Sequence, residues 1–321
     1  MAQIGYTLMT EQAGPPALVH DAVAAERAGF DFEVSSDHYF PWLDSQGHAP
    51  NAWVTLGAVA QATETVDLMT YVTCPTFRYH PAVVAQQAAT LGLLSNGRFT
   101  LGLGAGENLN EHIVGRGWPG ANERHEMFAE AVDIIKALLD GGYVNFVGQH
   151  YRVDSAKLWD LGEPPPRIGM AVSGAQSCEL AGRVADLMIA VEPDASLGEQ
   201  FDAAGGKGKP RVGQLPVCYD TDKDAAIERA HDQFRWFGGG WKVNAELPGP
   251  AGFAGATQFV TKDDVAESIP CGSDVDAVVD AVRQFTDAGF THVALVQIGG
   301  EHQAPFLEWS EKELLPALRE L

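Results

Sequence analysis

The feature that most constrains the fold of this chain is a regular alternation of short apolar runs with longer segments of helical periodicity. A short apolar run bounded by turn residues predicts a strand, and apolar residues three or four positions apart predict an amphipathic helix. Eight strands are predicted in this way, at residues 4–9, 32–35, 66–72, 99–103, 167–172, 187–191, 212–219 and 292–298. Helices are predicted between them at residues 17–28, 52–62, 82–94, 124–139, 176–184, 222–234 and 274–288.

Strands that alternate with helices pair in parallel, and eight such units favour a closed (β/α)8 barrel of the TIM type over an open sheet. Two segments interrupt the alternation and are predicted to be insertions. Residues 143–166 hold a predicted hairpin at 143–151 and an irregular stretch that ends in three prolines, and residues 236–255 are rich in loop-forming residues. Neither segment separates two complete sets of elements, so we predict one α/β domain over residues 1–321.

The charge balance and the cysteines exclude several classes of protein. The 43 acidic side chains outnumber the 21 basic ones, and a net charge of −22 would repel a nucleic-acid backbone. The start of the chain has no basic region followed by an apolar stretch, and no segment approaches the roughly 18 apolar residues that cross a bilayer, so we expect a cytoplasmic protein. The cysteines at 74, 178, 218 and 271 are widely scattered, which predicts reduced thiols in the core.

A TIM-type barrel carries its active site at the carboxyl ends of the strands, so the residues after each predicted strand are the first candidates. After the second strand come an acid, an imidazole and several aromatic residues within positions 35–42. His38 titrates near neutrality and is a candidate for the base that accepts a hydroxyl proton, with Asp37 or a neighbour to orient it.

The loop after the fourth strand, residues 102–110, is rich in glycine and contains Glu107. Glycines let the backbone approach a flat ligand closely, and Glu107 directs a carboxyl group at it. The spacing is not a dinucleotide fingerprint, because Glu107 stands where the third glycine belongs and no helix is predicted to begin directly after it.

Three further strand ends carry candidates, each with a plain structural alternative. Glu11 follows the first strand and is otherwise a solvated loop carboxylate. Arg78 and His80 follow the third strand, and we favour scaffold roles for both because a partly buried Arg usually pairs with an acid. Ser173 and Gly174 open a helix whose first amides would suit a phosphate, although Ser is common there simply as a cap.

Taken together, these loops resemble the deazaflavin-dependent branch of the luciferase-like monooxygenase superfamily, and in particular the group around the deazaflavin-dependent glucose-6-phosphate dehydrogenases. Six blocks in order carry the resemblance over nearly the whole chain. They are Ser-Asp-His-Tyr-Phe-Pro-Trp at 36–42, Gly-His-Ala-Pro at 47–50, Pro-Thr-Phe-Arg-Tyr-His-Pro at 75–81, Gly-Ala-Gly-Glu at 104–107, Leu-Asn-Glu at 109–111 and Ala-Gly-Arg at 181–183.

The resemblance implies a homodimeric TIM-type barrel that binds coenzyme F420 in its mouth and passes hydride to or from ring carbon C5. It implies that His38 is the base for the substrate hydroxyl, that Trp42 stabilises the reacting centre, and that Glu107 is the acid that protonates the coenzyme ring. The implied coenzyme contacts are Asp37, Val72, Cys74, Asn110, Ser173 and Gly174, with Glu11 near the ring. Cys74 departs from the threonine that is usual in the family.

The phosphate site of the sugar-phosphate enzymes is not matched. There, a Thr and a Lys after the sixth strand and a Lys and an Arg further on hold the phosphate. Here residues 190–194 place acids at the first position and residues 265–268 offer no Arg, although Lys207, Lys209 and Lys262 lie on neighbouring loops. The expected substrate is an alcohol or a sugar-like compound, with glucose 6-phosphate as one candidate, or a carbonyl or activated alkene in the direction of reduction.

Three other functions compete with this interpretation. An FMN-dependent monooxygenase of the same superfamily would use the same barrel, and a coenzyme-binding protein without turnover would need no catalytic side chains. A metal-dependent barrel hydrolase is disfavoured, so no metal site is predicted. The available histidines lie in different loops without metal-ligand spacing, at positions 38, 48, 80 and 112.

Overall fold

The computed structural model describes residues 2–321, and eight parallel strands form a closed barrel in it. The barrel strands are β1 (Gln3–Leu8), β2 (Phe32–Ser35), β3 (Asp67–Thr70), β4 (Phe99–Leu103), β7 (Arg167–Ala171), β8 (Leu187–Ile189), β9 (Arg211–Val217) and β10 (His292–Gln297). Each strand pairs with the next in this order, and β10 closes the barrel on β1 with Gln3 opposite His292 and Tyr6 opposite Leu295. The predicted eight-stranded parallel barrel is therefore confirmed.

Helices connect the strands; the long ones cover the outside of the barrel, and several short ones lie in the loops at the strand ends. They are α1 (Pro15–Ala28), α2 (Ala52–Ala62), α3 (Pro81–Leu94), α4 (Asn108–Glu111), α5 (Ala121–Leu139), α6 (Ala175–Val184), α7 (Ala195–Phe201), α8 (Lys223–Phe234), α9 (Trp241–Asn244), α10 (Pro250–Ala256), α11 (Lys262–Ser268), α12 (Val275–Asp287), α13 (Gln303–Trp309) and α14 (Leu315–Leu318). Proline in the first turn starts α1 and α3, where its fixed φ suits the helix and no amide hydrogen is needed. No helix within residues 2–321 is both long and apolar enough to cross a membrane.

The strands have two buried faces, as expected for a parallel barrel. One face lines the barrel interior with an apolar cluster that includes Phe32, Val34, Met69 and Ile189. The other face packs under the helices. Gly5 belongs to the crowded interior, since a Cβ there would lie 2.4 Å from the ring of Phe32. Glycine at position 5 makes room for the phenyl ring of its neighbour on β2.

The first insertion differs from its prediction. The hairpin consists of β5 (Val144–Val147) and β6 (Arg152–Ala156), so its second strand lies beyond the predicted end at residue 151. The carboxylate of Glu130 on α5 accepts hydrogen bonds from the amides of Gln149, His150 and Tyr151. This contact fixes the three residues as a turn, and the chain can pair again only after them.

The second insertion is more regular than its sequence indicates. The stretch 236–255 contains most of a 3₁₀ turn at Arg235–Gly239, all of α9, and most of α10. Trp236 and Phe253 are buried and pack with Phe234 at the end of α8. Burial of these aromatic residues stabilises short helices in a stretch whose glycine and proline content predicts loops.

All four cysteines are buried and unbridged, which agrees with the expected core thiols. Cys218 and Cys271 are nevertheless neighbours in space, because the segment after β9 forms a parallel bridge with the segment after α11. The amide of Cys218 donates to the carbonyl of Pro270, and the amide of Gly272 donates to the carbonyl of Cys218. Their wide separation in the sequence conceals this contact.

Replacing Glu33 with Met is expected to stabilise the protein at neutral pH by about 1–3 kcal/mol, the cost of burying an unsatisfied polar group. Glu33 lies between Tyr6 and Leu68 on neighbouring strands, is fully buried, and neither of its carboxylate oxygens has a hydrogen-bond partner within residues 2–321. Burial, reinforced by Glu26, raises its pKa well above the usual value. The native state therefore keeps Glu33 protonated at a pH where the unfolded chain ionises it.

Below the unfolded-state pKa both states bind the proton, and as pH rises from there the wild type loses stability until the folded-state pKa is reached. Urea denaturation at pH 4.5 and pH 7.5 should show a Glu33→Met advantage that grows with pH. Glu179→Met, at an exposed position on α6, is the control and should change stability little at either pH. An advantage that is equal at both pH values would contradict the assignment.

Candidate active site

Three loops at the carboxyl ends of the strands bring Glu11, His38 and Glu107 together. Glu11 follows β1, His38 follows β2, and Glu107 follows β4. Nδ1 of His38 lies 2.6 Å from Oε1 of Glu11, and Nε2 of His38 lies 3.7 Å from Oε2 of Glu107. Ser36 donates its hydroxyl to the other oxygen of Glu11 at 2.8 Å. The imidazole therefore stands between two carboxyl groups, one in tight contact and one slightly apart.

Burial and charge shift the pKa values of these three groups. Burial alone would lower the pKa of His38, but the carboxylates of Glu11 and Glu107 outweigh it and raise that pKa to about 9. Burial raises the pKa of Glu107 to about 7, although His38 opposes the shift. The pKa of Glu11 is lowered, because the charge and hydrogen bond of His38 overcome the effect of burial. Glu11 is thus held as a carboxylate, whereas the pKa values of Glu107 and His38, about 7 and about 9, lie within two units of each other.

Trp42 forms an aromatic wall beside the imidazole. Its ring meets the ring of His38 edge to face, with centroids 4.9 Å apart. On its other side Trp42 stacks on Trp236 at 4.0 Å and meets Phe253 edge to face at 5.0 Å. The side-chain oxygen of Gln46 accepts a hydrogen bond from the amide of Trp42 and fixes the turn that carries it. The wall is apolar and buried, and it adjoins the titrating pair.

Asp37 does not orient His38. Its carboxylate accepts hydrogen bonds from Thr73 and Tyr79 and pairs with Arg78, whose guanidinium also donates to the backbone carbonyl of Asp37 at 2.6 Å. Arg78 donates through Nε to Glu111 at 2.9 Å as well. The orienting group for His38 is Glu11, so the view of Glu11 as a solvated loop carboxylate is wrong. The predicted scaffold role of Arg78 agrees with these contacts, and His80 caps α3 as a scaffold residue.

The glycine-rich loop after β4 is packed against the loop after β3. Gly106 has φ +87°, and a Cβ there would lie 2.5 Å from Sγ of Cys74. At Gly104 a Cβ would lie 2.6 Å from Cγ2 of Val72. Val72 and Cys74 therefore set the course of the loop that carries Glu107. Cys74 lies near Thr76, with Sγ 3.0 Å from its hydroxyl.

A helix does begin directly after this loop, contrary to the prediction. Glu107 precedes α4, which is only four residues long, and periodicity cannot reveal so short a helix. The turn presents Asn110, whose side-chain oxygen accepts hydrogen bonds from the amides of Tyr39 and Phe40. Asn110 also donates to Glu107 at 3.4 Å, so it links the His38 loop to the Glu107 loop.

Ser173 and Gly174 lie at the start of α6, as predicted. Both of their amides donate to Oγ of Ser177, so these two groups are already paired. The amides of Ala175 and Gln176 belong to the first turn, which has no intrahelical acceptor, and Ser173 is exposed beside them. An anion at this helix start would meet the first-turn amides and the Ser173 hydroxyl.

The basic residues that might hold a phosphate are mostly engaged elsewhere. Lys209 donates to the carbonyls of Gly182 and Ala185, and Lys262 pairs with Glu228. Lys207 is exposed and, among residues 2–321, forms no ion pair. No group of three or more metal-ligating side chains was found in the part of the chain that the structure describes.

Sequence reasoning missed two residues of the aromatic wall, Trp236 and Phe253. Both come from the second insertion, far along the chain from Trp42. The available signal was their residue type, since large aromatic residues in a glycine-rich stretch need a partner to pack against. Which partner they find depends on the closed barrel, and the local sequence does not contain that information.

Comparison with known proteins gives consistent results. The luciferase-like monooxygenase family model matches residues 1–292. An F420-dependent glucose-6-phosphate dehydrogenase of Segniliparus rotundus is 35% identical, with 99% of this chain and 98% of the relative covered. An F420-dependent hydroxymycolic acid dehydrogenase of Mycobacterium tuberculosis is also 35% identical, covering 98% and 88%. The solved structure of an F420-dependent secondary alcohol dehydrogenase with an F420-acetone adduct superposes with a TM-score of 0.90 at 28% identity, covering 99% of each chain.

Proposed function

We propose that this chain, which belongs to the luciferase-like monooxygenase family, is a coenzyme F420-dependent oxidoreductase that acts on the CH–OH group of an alcohol. The observation that carries the proposal is the position of His38 between a fixed carboxylate and a titrating one at the barrel mouth. The names of the relatives support the coenzyme, and the similar solved structure supports an alcohol as the substrate. The reverse reduction of a carbonyl uses the same groups.

The residues present fit a deazaflavin nucleotide. The start of α6, with the exposed Ser173, suits a phosphate, and Val72, Cys74 and Asn110 border the strand-end loops where a flat ring would lie. Glu107 has the chemistry of a ring-protonating acid, because its pKa of about 7 lets it hold a proton at neutral pH. When bound, the oxidised coenzyme supplies ring carbon C5 as the hydride acceptor.

The side chains of this protein then handle the protons. The carboxylate of Glu11 lies 2.6 Å from Nδ1 of His38, which favours a proton on that nitrogen and leaves Nε2 to accept the proton of the substrate hydroxyl. Loss of that proton makes the carbinol carbon a better hydride donor. Glu107 holds the proton that balances the charge arriving at the ring, and Trp42 excludes water from one side of the imidazole.

The preferred substrate in this proposal is a neutral alcohol, in particular a secondary alcohol. The wall beside His38 is aromatic, and Lys209 and Lys262 are held by other groups. Glu192 and Asp194, after β8, are exposed carboxylates that would repel a phosphate. Glucose 6-phosphate is therefore expected to be a poor substrate.

A titration tests the coenzyme and the substrate class together. We expect quenching of tryptophan fluorescence on addition of oxidised F420, and loss of the coenzyme absorbance when 2-propanol or a larger secondary alcohol follows. Equal kcat/KM with glucose 6-phosphate would overturn the neutral-alcohol assignment. A protein that retains FMN on purification and does not bind F420 would overturn the coenzyme assignment and favour a monooxygenase.

We also infer a homodimer. Val54 on α2 and Val83 on α3 are exposed near the starts of these two packed helices, and both helices are rich in apolar residues. Light scattering should give twice the chain mass of 34.3 kDa. A monomer at micromolar concentration would contradict the inference.

A bell-shaped pH profile of kcat/KM is expected for alcohol oxidation. Between the pKa of Glu107, about 7, and that of His38, about 9, the pair holds a single proton, and the species that oxidises the alcohol is the minor one in which this proton is on Glu107 and His38 is neutral. Below this window both groups are protonated and no base is available. Above it both are deprotonated and no acid is available. The rate should therefore rise through the lower pKa and fall through the upper one.

Glu107→Gln should leave only the rising part of this pH profile. With the carboxyl group removed, only His38 titrates, so the rate should rise with pH and no longer fall at high pH. A wild-type profile that stays flat between pH 6 and pH 10 would contradict the paired titration.

A further inference from the structure

We propose that Glu246 is a positioning residue that fixes the loop carrying Glu107, and that residues 235–256 form a rigid bridge between the two catalytic loops. We call these residues the bridge segment. The kinetic part of this inference rests on the proposed function, whereas its structural part does not.

One end of the bridge segment packs on the His38 loop. Trp236 stacks on Trp42 with ring planes only 9° apart, and Phe253 covers the same indole edge to face. The three rings are buried together in one apolar cluster. Trp42 in turn contacts the ring of His38, so the bridge segment reaches the imidazole through one intermediate side chain.

The middle of the bridge segment is tied to the Glu107 loop. Asn108, the residue directly after Glu107, donates its amide to the carbonyl of Ala245 at 3.0 Å. Its side-chain amide donates to the carbonyl of Glu246 at 2.9 Å. The carbonyls of Ala245 and Glu246 therefore accept the backbone and side-chain hydrogen bonds of Asn108, which follows Glu107 in the chain.

The carboxylate of Glu246 secures this junction. Oε1 accepts from Arg124 at 2.7 Å, and Oε2 accepts from the indole of Trp118 at 3.0 Å. Arg124 also lies over the Trp118 ring at 4.4 Å and donates to the carbonyl of Pro119 at 2.7 Å. The side chain of Arg124 is 9% exposed and that of Glu246 is 52% exposed, so water screens part of this charge-assisted bond and the indole of Trp118 supplies the second hydrogen bond that holds the carboxylate. Glu246 is thus the point where the bridge segment meets the connection between α4 and α5.

The contacts of the bridge segment with both loops fix the distance between His38 and Glu107. His38 Nε2 and Glu107 Oε2 are 3.7 Å apart and belong to different loops. The bridge segment contacts the His38 loop through Trp236 and the Glu107 loop through Ala245 and Glu246. A displacement of about 1 Å between reacting groups can reduce a rate on the order of 100-fold. Glu246 itself touches neither group, so it acts through position alone.

The experiment compares Glu246→Ala with the conservative Glu246→Gln in the full-length protein. Glu246→Ala should speed hydrogen exchange of the Asn108 amide by roughly tenfold or more, while barrel strands exchange as in the wild type. It should lower kcat/KM for the alcohol by about 10- to 100-fold and move the high-pH fall that depends on Glu107, with F420 affinity nearly unchanged. Glu246→Gln keeps an acceptor for Trp118 and should recover most of the activity.

Glu267→Ala, at an exposed position on α11, is the matched control and should leave exchange and kinetics unchanged. Unchanged Asn108 exchange in Glu246→Ala would overturn the bridge. Faster exchange with an unaltered pH profile and kcat/KM would overturn the positioning role. A wild type that binds no F420 and oxidises no alcohol would instead overturn the proposed function, while the exchange measurement would still decide the bridge.

Discussion

His38→Asn is expected to lower kcat for alcohol oxidation by about 10²- to 10⁴-fold, the usual contribution of a general base. Asparagine is chosen because its side-chain amide can still donate to Glu11, which His38 contacts at 2.6 Å. The buried carboxylate therefore keeps a partner while the titrating nitrogen at the Nε2 position is lost. The measurement is steady-state oxidation of a secondary alcohol with saturating F420, together with the coenzyme dissociation constant.

His20→Ala provides the control for this substitution. The side chain of His20 is 77% exposed on α1, so its removal should leave kcat within about twofold of the wild type. The acid-side rise of the pH profile should disappear in His38→Asn and persist in His20→Ala. A variant His38→Asn that binds F420 normally and retains wild-type kcat would remove His38 from the mechanism.

Arg78→Met is expected to destabilise the protein by about 3–5 kcal/mol, the cost of removing one partner from a buried ion pair. The guanidinium lies between the buried carboxylates of Asp37 and Glu111, and these charges raise its pKa above the ordinary value despite burial. Without it, both buried acids lose their charged partner and keep only neutral hydrogen-bond donors. Chemical denaturation at pH 7 should show the loss directly.

Arg283→Met is the matched control, because Arg283 pairs with Asp280 on the exposed face of α12. Exposed pairs contribute about 0–1 kcal/mol, so this variant should unfold nearly as the wild type does. The destabilisation of Arg78→Met should also shrink at low pH, because burial raises the pKa of Glu111 and the unpaired group becomes protonated there. Equal stabilities for the two variants would show that the Asp37–Arg78–Glu111 network contributes little.

The barrel was predictable because parallel strands buried on both faces appear as short apolar runs. The ends of the strands were less predictable. Apolar residues continue past β3 at Tyr71 and Val72, and past β9 at Cys218, so the predicted strands run longer than the hydrogen-bonded ones. The hairpin was misplaced because Glu130, on a helix that precedes it, decides where the turn lies. Contacts between distant segments leave no local pattern in the sequence.

The position of the site was predictable, but the pairing of its side chains was less so. The strand-end rule placed His38 and Glu107 in the same mouth, and the structure brings them within 3.7 Å of each other. The rule could not choose between Asp37 and Glu11 as the partner of His38. Asp37 is adjacent to His38 in sequence but turns toward Arg78, whereas Glu11 approaches from the neighbouring strand. That choice depends on how β1 and β2 pair, which only the closed barrel determines.

The aromatic wall has a consequence for how such an enzyme can diversify. Trp236 and Phe253 belong to one continuous stretch that lies between α8 and α11 and contributes no strand to the barrel. Exchange of that stretch would alter the surface offered to a ligand while every backbone hydrogen bond of the barrel stays in place. Because the same stretch also holds the Glu107 loop through Asn108, any change of that surface is coupled to the position of Glu107 relative to His38.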